Sequence, residues 1–230
     1  MLKKLWYWTW RVCLGLFLMS ILSVLLFRFV PVPVTPLMLI RCGEQLVGGS
    51  TLKMKKDWQS IDGISPNLVQ AVVASEDNLF LSHHGFDFDA MEKAMAYNSK
   101  KKGKKIKGGS TISQQTAKNV FLWPGRSYIR KGFEAYFTVL IELIWGKERI
   151  MEVYLNVIEM GDGIYGAEAA SQTCFHKHAS RLNKAEAAAI AAVLPSPLRW
   201  SPSNPTLYTL RREAWILRNM GHLPPVKFEH

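Results

Sequence analysis

Three clusters in the 230-residue chain combine residue types that can do chemistry. In the first, Glu76-Asp77 ends the apolar stretch Leu68–Ser75 and precedes Phe80 and His83-His84-Gly85. A carboxylate leaving an apolar helix is partly desolvated, which raises its pKa and suits it to act as a base. A surface Glu-Asp at a helix end is the plainer reading. The second cluster is GGSTISQQTAKN, Gly108–Asn119. A helix starting at Ser110 would put Thr111, Gln115 and Lys118 at i, i+4 and i+7 on one polar face, with Ile112 and Val120 opposite for packing. A hydroxyl, an amide and an ammonium in a row suit a sugar–phosphate ligand; a solvated helix face is the plainer reading. In the third, Arg130-Lys131-x-x-Glu134, the i, i+4 spacing gives Arg130 and Glu134 a shared face. An exposed salt bridge there would be worth little. Glu142, Lys147 and Arg149 continue this charged region. Between the first two clusters, Lys100–Lys107 has six lysines in eight residues and no acid. Such a run is ordinarily a solvated loop, and it would also attract phosphate.

The elements that must position these clusters read as helices. Ser65 and Pro66 supply an N-cap and a first helical position ahead of Leu68, Val69, Val72 and Val73. Asp87 or Asp89 can cap a second helix running towards Asn98, and Ser110 a third. Ser127–Trp145 and Lys147–Met160 read as two more. Asn183-Lys184-Ala185-Glu186 is a capping box opening an alanine-rich helix to Leu194, and Pro205 opens a last one. No alternating strand series and no internal repeat is evident. The expected fold is one mainly α-helical domain of about 180 residues. Asp87-Phe88-Asp89 imitates a D-x-D metal motif, but helix capping explains it as well.

The N-terminus adds a membrane to the picture. Val12–Phe27 is sixteen residues long with only Ser20 and Ser23 polar, and an aromatic stretch containing Trp6, Tyr7, Trp8 and Trp10 precedes it. About 20 such residues cross a hydrocarbon core. Lys3, Lys4 and Arg11 on the short flank orient the N-terminus inside and the remainder outside, against which Arg28 stands just past the span. A cleaved signal peptide would need small residues at the cut, and Phe29-Val30-Pro31-Val32-Pro33 has none. The expected organisation is therefore 1–30 as cytoplasmic N-terminus and anchor, 31–50 as linker and membrane-proximal segment, and 51–230 as the functional domain. Pro36–Ile40 reads either as a core strand or as a second patch touching the membrane.

The formal net charge is +11, and residues after 45 alone carry +7. Outside the cytoplasm such a domain has lipid phosphates rather than nucleic acid as natural partners. Apolar residues at 48% exclude a disordered chain, and three cysteines exclude a disulfide scaffold. Cys42 and Cys174 would pair only if the fold brought them together.

Four segments in order, EDNLFLSHHGFD (Glu76–Asp87), GGSTISQQTAKN, RKGFEA (Arg130–Ala135) and KERIMEVYLN (Lys147–Asn156), closely resemble the monofunctional peptidoglycan glycosyltransferases. These are relatives of the transferase domain of bifunctional penicillin-binding proteins. The resemblance covers about residues 60–200, with Ser113 where threonine is usual and His176 where glycine is frequent. It implies a lysozyme-like, two-lobed helical transferase domain behind one transmembrane helix in the cytoplasmic (inner) membrane, with the domain on the periplasmic or outer face. It implies lipid II and the growing glycan strand as substrates, inverting glycosyl transfer, and release of undecaprenyl pyrophosphate. Carried over by position, Glu76 is the general base and Glu134 the second essential carboxylate. Lys118, Arg130 and Lys131 meet the pyrophosphate, and Asp77, Phe80, His83, Thr111 and Gln115 shape the cleft. No cofactor is required by the pattern, although a divalent cation such as Mg2+ is compatible with a pyrophosphate. Other cell-wall synthesis or division proteins are natural partners. The alternatives are a lytic transglycosylase or muramidase, which would cut existing glycan, and a non-catalytic cell-wall scaffold.

Overall fold

The structure is a computed structural model that describes residues 2–49, 51–100, 108–125 and 127–228. All of the lysine run beyond Lys100 lies outside the described residues. As expected, the described chain is mainly helical. It opens with α1 (Leu2–Phe29) and α2 (Pro36–Val47), followed by the short strand β1 (Lys55–Lys56). Then come α3 (Pro66–Glu76), α4 (Phe88–Lys100), α5 (Ile112–Phe121), α6 (Tyr128–Ile144) and α7 (Gly146–Val157). A hairpin of β2 (Glu159–Gly161) and β3 (Ile164–Tyr165) leads to α8 (Ala167–Phe175), α9 (Lys184–Val193) and α10 (Leu207–His222). In the sheet, β3 is central, parallel to β1 and antiparallel to β2. Strands of two or three residues are too short to show an alternating pattern, which is why the sequence gives no sign of them.

Local signals start most helices. Ser65 Oγ accepts from the Asn67 N–H at 3.3 Å with Pro66 at the first position, and α3 then buries Leu68, Val69 and Val72. The Asn183/Glu186 capping box opens α9. Asp87 Oδ1 accepts from the Ala90 N–H at 2.8 Å, so the D-x-D pair serves to start α4. Other boundaries move. Thr111, not Ser110, caps α5, in a box with Gln114. Thr206 rather than Pro205 caps α10. The helix expected to run to Met160 ends at Val157, and its remainder enters β2. Pro36–Ile40 is no strand: Thr35 caps it and Pro36 occupies the first turn of α2. Met38 of that helix is buried, whereas Leu39, Leu46 and Val47 are exposed. Cys13, Cys42 and Cys174 are all free thiols, so the conditional Cys42–Cys174 pairing is not formed.

The core that frames the site has two parts in contact. α3 packs on α9 and α10, while α5 lies against α6 and α7. Within α1, Trp6–Phe29 is long and apolar enough to cross a membrane, and Val24 is its one buried residue. Its C-terminal half is nevertheless docked. Ser20 Oγ and Tyr136 Oη lie 2.8 Å apart, and Trp145 Nε1 donates to the Val24 carbonyl at 2.7 Å. Arg149 donates to the Phe27 carbonyl at 2.8 Å and to the Val30 carbonyl at 2.7 Å. These acceptors include carbonyls that a helix end leaves without intrahelical donors. Burial of this guanidinium lowers its pKa, and Glu152 opposes that shift.

Candidate active site

The fold brings Glu76 to the last residue of α3 and aims it at α5 and α10. Gln115 Nε2 donates to Glu76 Oε2 at 3.1 Å, and Arg212 of α10 donates to Oε1 at 3.1 Å. Burial raises the Glu76 pKa, and the Gln115 hydrogen bond and the Arg212 charge only partly oppose it. Desolvation winning over two partners is the condition under which a carboxylate becomes a stronger base than one in water. The Gln115 amide is itself oriented: Tyr154 Oη donates to its Oε1 at 3.3 Å, leaving the NH2 group for Glu76. Tyr154 is fully buried, and its hydroxyl pKa is raised first by that burial and then by Glu76 and Asp77.

Asp77, next in the chain, faces the other way. Its Oδ2 accepts from the Ile112 N–H at 2.9 Å, at the first turn of α5. Both its oxygens lie 3.0 Å from His83 Nε2. The Gly85 N–H donates to His83 Nδ1 at 3.1 Å, so the ring proton sits on Nε2 and is donated to Asp77. Thr111 Oγ1 donates to the Gly85 carbonyl at 2.7 Å. Gly85 has φ +87°, and a Cβ there would lie 2.8 Å from Thr138 Cγ2, so this loop needs its glycine. Phe80 is fully buried with the Lys147 ammonium 4.8 Å from its ring centre. Asp77, Phe80, His83 and Thr111 thus brace the turn that follows Glu76. The polar face expected for Thr111, Gln115 and Lys118 does not form as one row. Thr111 turns inward to Gly85, and Gln115 and Lys118 remain on the cleft side.

The third cluster supplies the charge. Arg130 donates to Glu134 Oε2 at 2.9 Å, and Lys131 pairs with Glu134 Oε1. Both Arg130 and Glu134 are buried, so this is not the exposed pair that spacing alone allows. Arg130 Nε is buried without an acceptor. Lys118 lies within electrostatic reach of Glu134, Arg130, Lys131 and Glu76, which draws the three sequence clusters into one site. Burial lowers its pKa, and the two carboxylates only partly restore it. Lys118 forms no ion pair within 4 Å among the described residues.

Sequence reasoning missed two contributors. Arg212 is 136 residues from Glu76 in the chain and is one of several basic residues in its helix, with no local signal to single it out. Tyr154 falls inside KERIMEVYLN, but nothing in that segment tells of a hydrogen bond to Gln115. Among the described residues no three His, Cys, Asp or Glu side chains converge as metal ligands. Glu76 and Glu134 are each already engaged by cations, so these donors do not fit a resident divalent ion.

Residues 42–221 match the family model described as transglycosylase. A "biosynthetic peptidoglycan transglycosylase" of Bacteroides thetaiotaomicron is 53% identical over 97% of this chain and 89% of its own. Proteins of the same name from Bdellovibrio bacteriovorus and Shewanella oneidensis are 53% and 48% identical, over 95% and 97% of this chain and 86% and 94% of theirs.

Proposed function

This chain belongs to the transglycosylase family, and from that premise we propose the chemistry of its cleft. It is a peptidoglycan glycosyltransferase of lysozyme-like fold that polymerises glycan strands. Glu76 takes the proton from the 4-hydroxyl of the acceptor sugar. The freed oxygen bonds to the anomeric carbon of the donor from the opposite side, and the bond from that carbon to the pyrophosphate oxygen breaks. Configuration inverts, and undecaprenyl pyrophosphate departs with the electron pair. A pyrophosphate leaves as an anion, so it needs positive charge more than a proton. Lys118, Arg130 and Lys131 supply that charge. Glu134 holds Arg130 and Lys131 in place through its two oxygens.

One observation carries this reading. A carboxylate with a raised pKa shares a cleft with an ammonium that has no close ion-pair partner and a buried guanidinium nitrogen that has no acceptor. The base lacks only its proton source, and Lys118 lacks an anion while Arg130 and Lys131 are held beside it by Glu134. A lytic enzyme would use the raised pKa to protonate a sugar oxygen and would have no use for that row of cations. The biosynthetic names of the relatives speak against it and against an inert scaffold.

In the proposed organisation, residues 1–30 are the cytoplasmic N-terminus and the single span, 31–50 the membrane-proximal segment and 51–230 the catalytic domain. The domain works at the outer face of the cytoplasmic membrane, where lipid II and the growing strand lie, in company with other cell-wall synthesis or division proteins. The support is the uncharged run Val12–Phe27 with basic residues on its short flank. Purified full-length protein given labelled lipid II is expected to make long muramidase-sensitive polymer. Glu76→Gln is expected to bind lipid II and make none. Polymer from that variant at the wild-type rate removes Glu76 as base.

A further inference from the structure

A second polar cavity lies away from the catalytic cleft, where α1 ends against the domain. Its volume is about 680 Å3, and Arg28, Phe29, Trp145, Lys147, Arg149 and Lys227 are among the residues that line it. Neither Glu76, Lys118 nor Glu134 borders it. Four cations meet two carboxylates here, Glu148 and Glu152. Arg149 is committed to Glu152 and to α1, and Lys147 pairs with Glu142 at 2.7 Å. That leaves Arg28 and Lys227, both exposed and with no ion pair within 4 Å among the described residues, as two cations beside the one remaining carboxylate of the lining, Glu148.

The position of the cavity narrows what those two cations bind. Arg28 is in the last turn of α1, directly after the uncharged run Val12–Phe27. A basic side chain there sits at the level of lipid phosphates when the run fills the hydrocarbon core. The Arg149 and Trp145 hydrogen bonds to α1 fix the cavity at that height. Beside it, Leu25, Leu26 and Phe29 are exposed and offer acyl chains an apolar wall. Cations at headgroup depth next to an apolar wall are the complement of a lipid carrying net negative charge.

We propose that this cavity binds the phosphate headgroup of an anionic phospholipid, with Arg28 and Lys227 as its ligands and its chains along α1. The site depends on α1 crossing the membrane but not on the chemistry assigned to Glu76. The test is native mass spectrometry of the full-length protein in a neutral detergent, titrated with dioleoylphosphatidylglycerol or dioleoylphosphatidylcholine. The wild type is expected to retain phosphatidylglycerol in preference to phosphatidylcholine. Losing one basic contact near a membrane surface weakens binding about five-fold, so Arg28→Gln/Lys227→Gln is expected to lose roughly 25-fold. The charge-preserving pair Arg28→Lys/Lys227→Arg keeps the preference, which separates lost charge from a lost fold. Glu76→Gln also retains it, so this result is independent of the polymerase assay. Equal retention of the two lipids, or undiminished preference in the Gln/Gln variant, overturns the proposal. Displacement of the lipid by equimolar inorganic phosphate also overturns it, because the cavity would then be a site for free anions.

Discussion

The two carboxylates of the cleft are both largely buried and differ in what surrounds them. The Glu134 side chain is 3% exposed and held by two cations, one on each oxygen. Glu76, 16% exposed, has one guanidinium on one oxygen and a neutral amide on the other. Burial raises the Glu76 pKa, and its neutral amide and single guanidinium only partly oppose that. On the proposed mechanism, one residue type serves as proton acceptor in one place and as charge brace in the other, with one cation beside Glu76 and two beside Glu134.

Breaking each arrangement should fail differently. Glu76→Gln keeps size and one of the two hydrogen bonds that Glu76 accepts but removes the base, and a polymerisation rate about 1000-fold lower is expected from loss of general-base catalysis. Its thermal stability should change little. Glu134→Gln leaves Arg130 buried without its counter-charge and should cost about 3 kcal/mol of stability, read from denaturant midpoints, as well as activity. If the two variants lose stability equally, the contrast between them is wrong.

Arg212→Gln sharpens the comparison by moving Glu76 further from Glu134. Arg212 lowers the Glu76 pKa against the effect of burial, so its removal raises that pKa again. The base is active only when deprotonated. The acid limb of kcat/KM should therefore move to higher pH, and at a fixed pH on that limb the rate falls about ten-fold for every pH unit the limb moves. Stability responds in the opposite direction. A raised folded pKa means the folded state holds its proton more tightly than the unfolded chain, so this group's penalty grows as pH rises through that value. An acid limb that stays in place would show that Arg212 does not set the base. A smaller effect is expected for Tyr154→Phe, which lets the Gln115 amide rotate: a few-fold loss in kcat, with polymer still formed, in the same gel assay.

The smallest effect lies outside the cleft. His176 is the one non-glycine residue with positive φ among the described residues, at 55°, closing α8 in the left-handed conformation. His176→Gly should relieve about 1 kcal/mol of backbone strain, part of which glycine's unfolded-state entropy takes back. A modest rise in melting temperature with unchanged turnover is the expected reading.

What the sequence made legible was local. Ser65-Pro66 and Asn183–Glu186 announce helix starts because capping needs only neighbours along the chain. The apolar run of α1 is read from composition alone, and the residue types of the clusters at Glu76, Gln115–Lys118 and Arg130–Glu134 were visible there too, although only the fold puts Lys118 within electrostatic reach of the other two. What stayed hidden depends on contacts across the fold. Thr111 turns inward because the Gly85 carbonyl, 26 residues back, is there to accept its hydroxyl. Arg212 reaches Glu76 only once α10 packs on α3. The i, i+4 pair of Arg130 and Glu134 was visible, but its burial was not, and burial separates a decorative ion pair from one that shapes a cleft.

The docking of α1 has a consequence for encounter. A catalytic domain on a slack tether would tumble, and each meeting with a membrane-bound substrate would have to find its orientation afresh. Hydrogen bonds from Tyr136, Trp145 and Arg149 side chains to α1 make the span a fixed mount instead. On the proposed topology, the mouth of the cleft keeps one height and tilt above the bilayer, and lipid-linked sugars reach it by sliding in the plane. Height and tilt are then largely decided before the partners touch, which leaves a search in two dimensions and about one axis, so binding energy is left over for the reacting atoms.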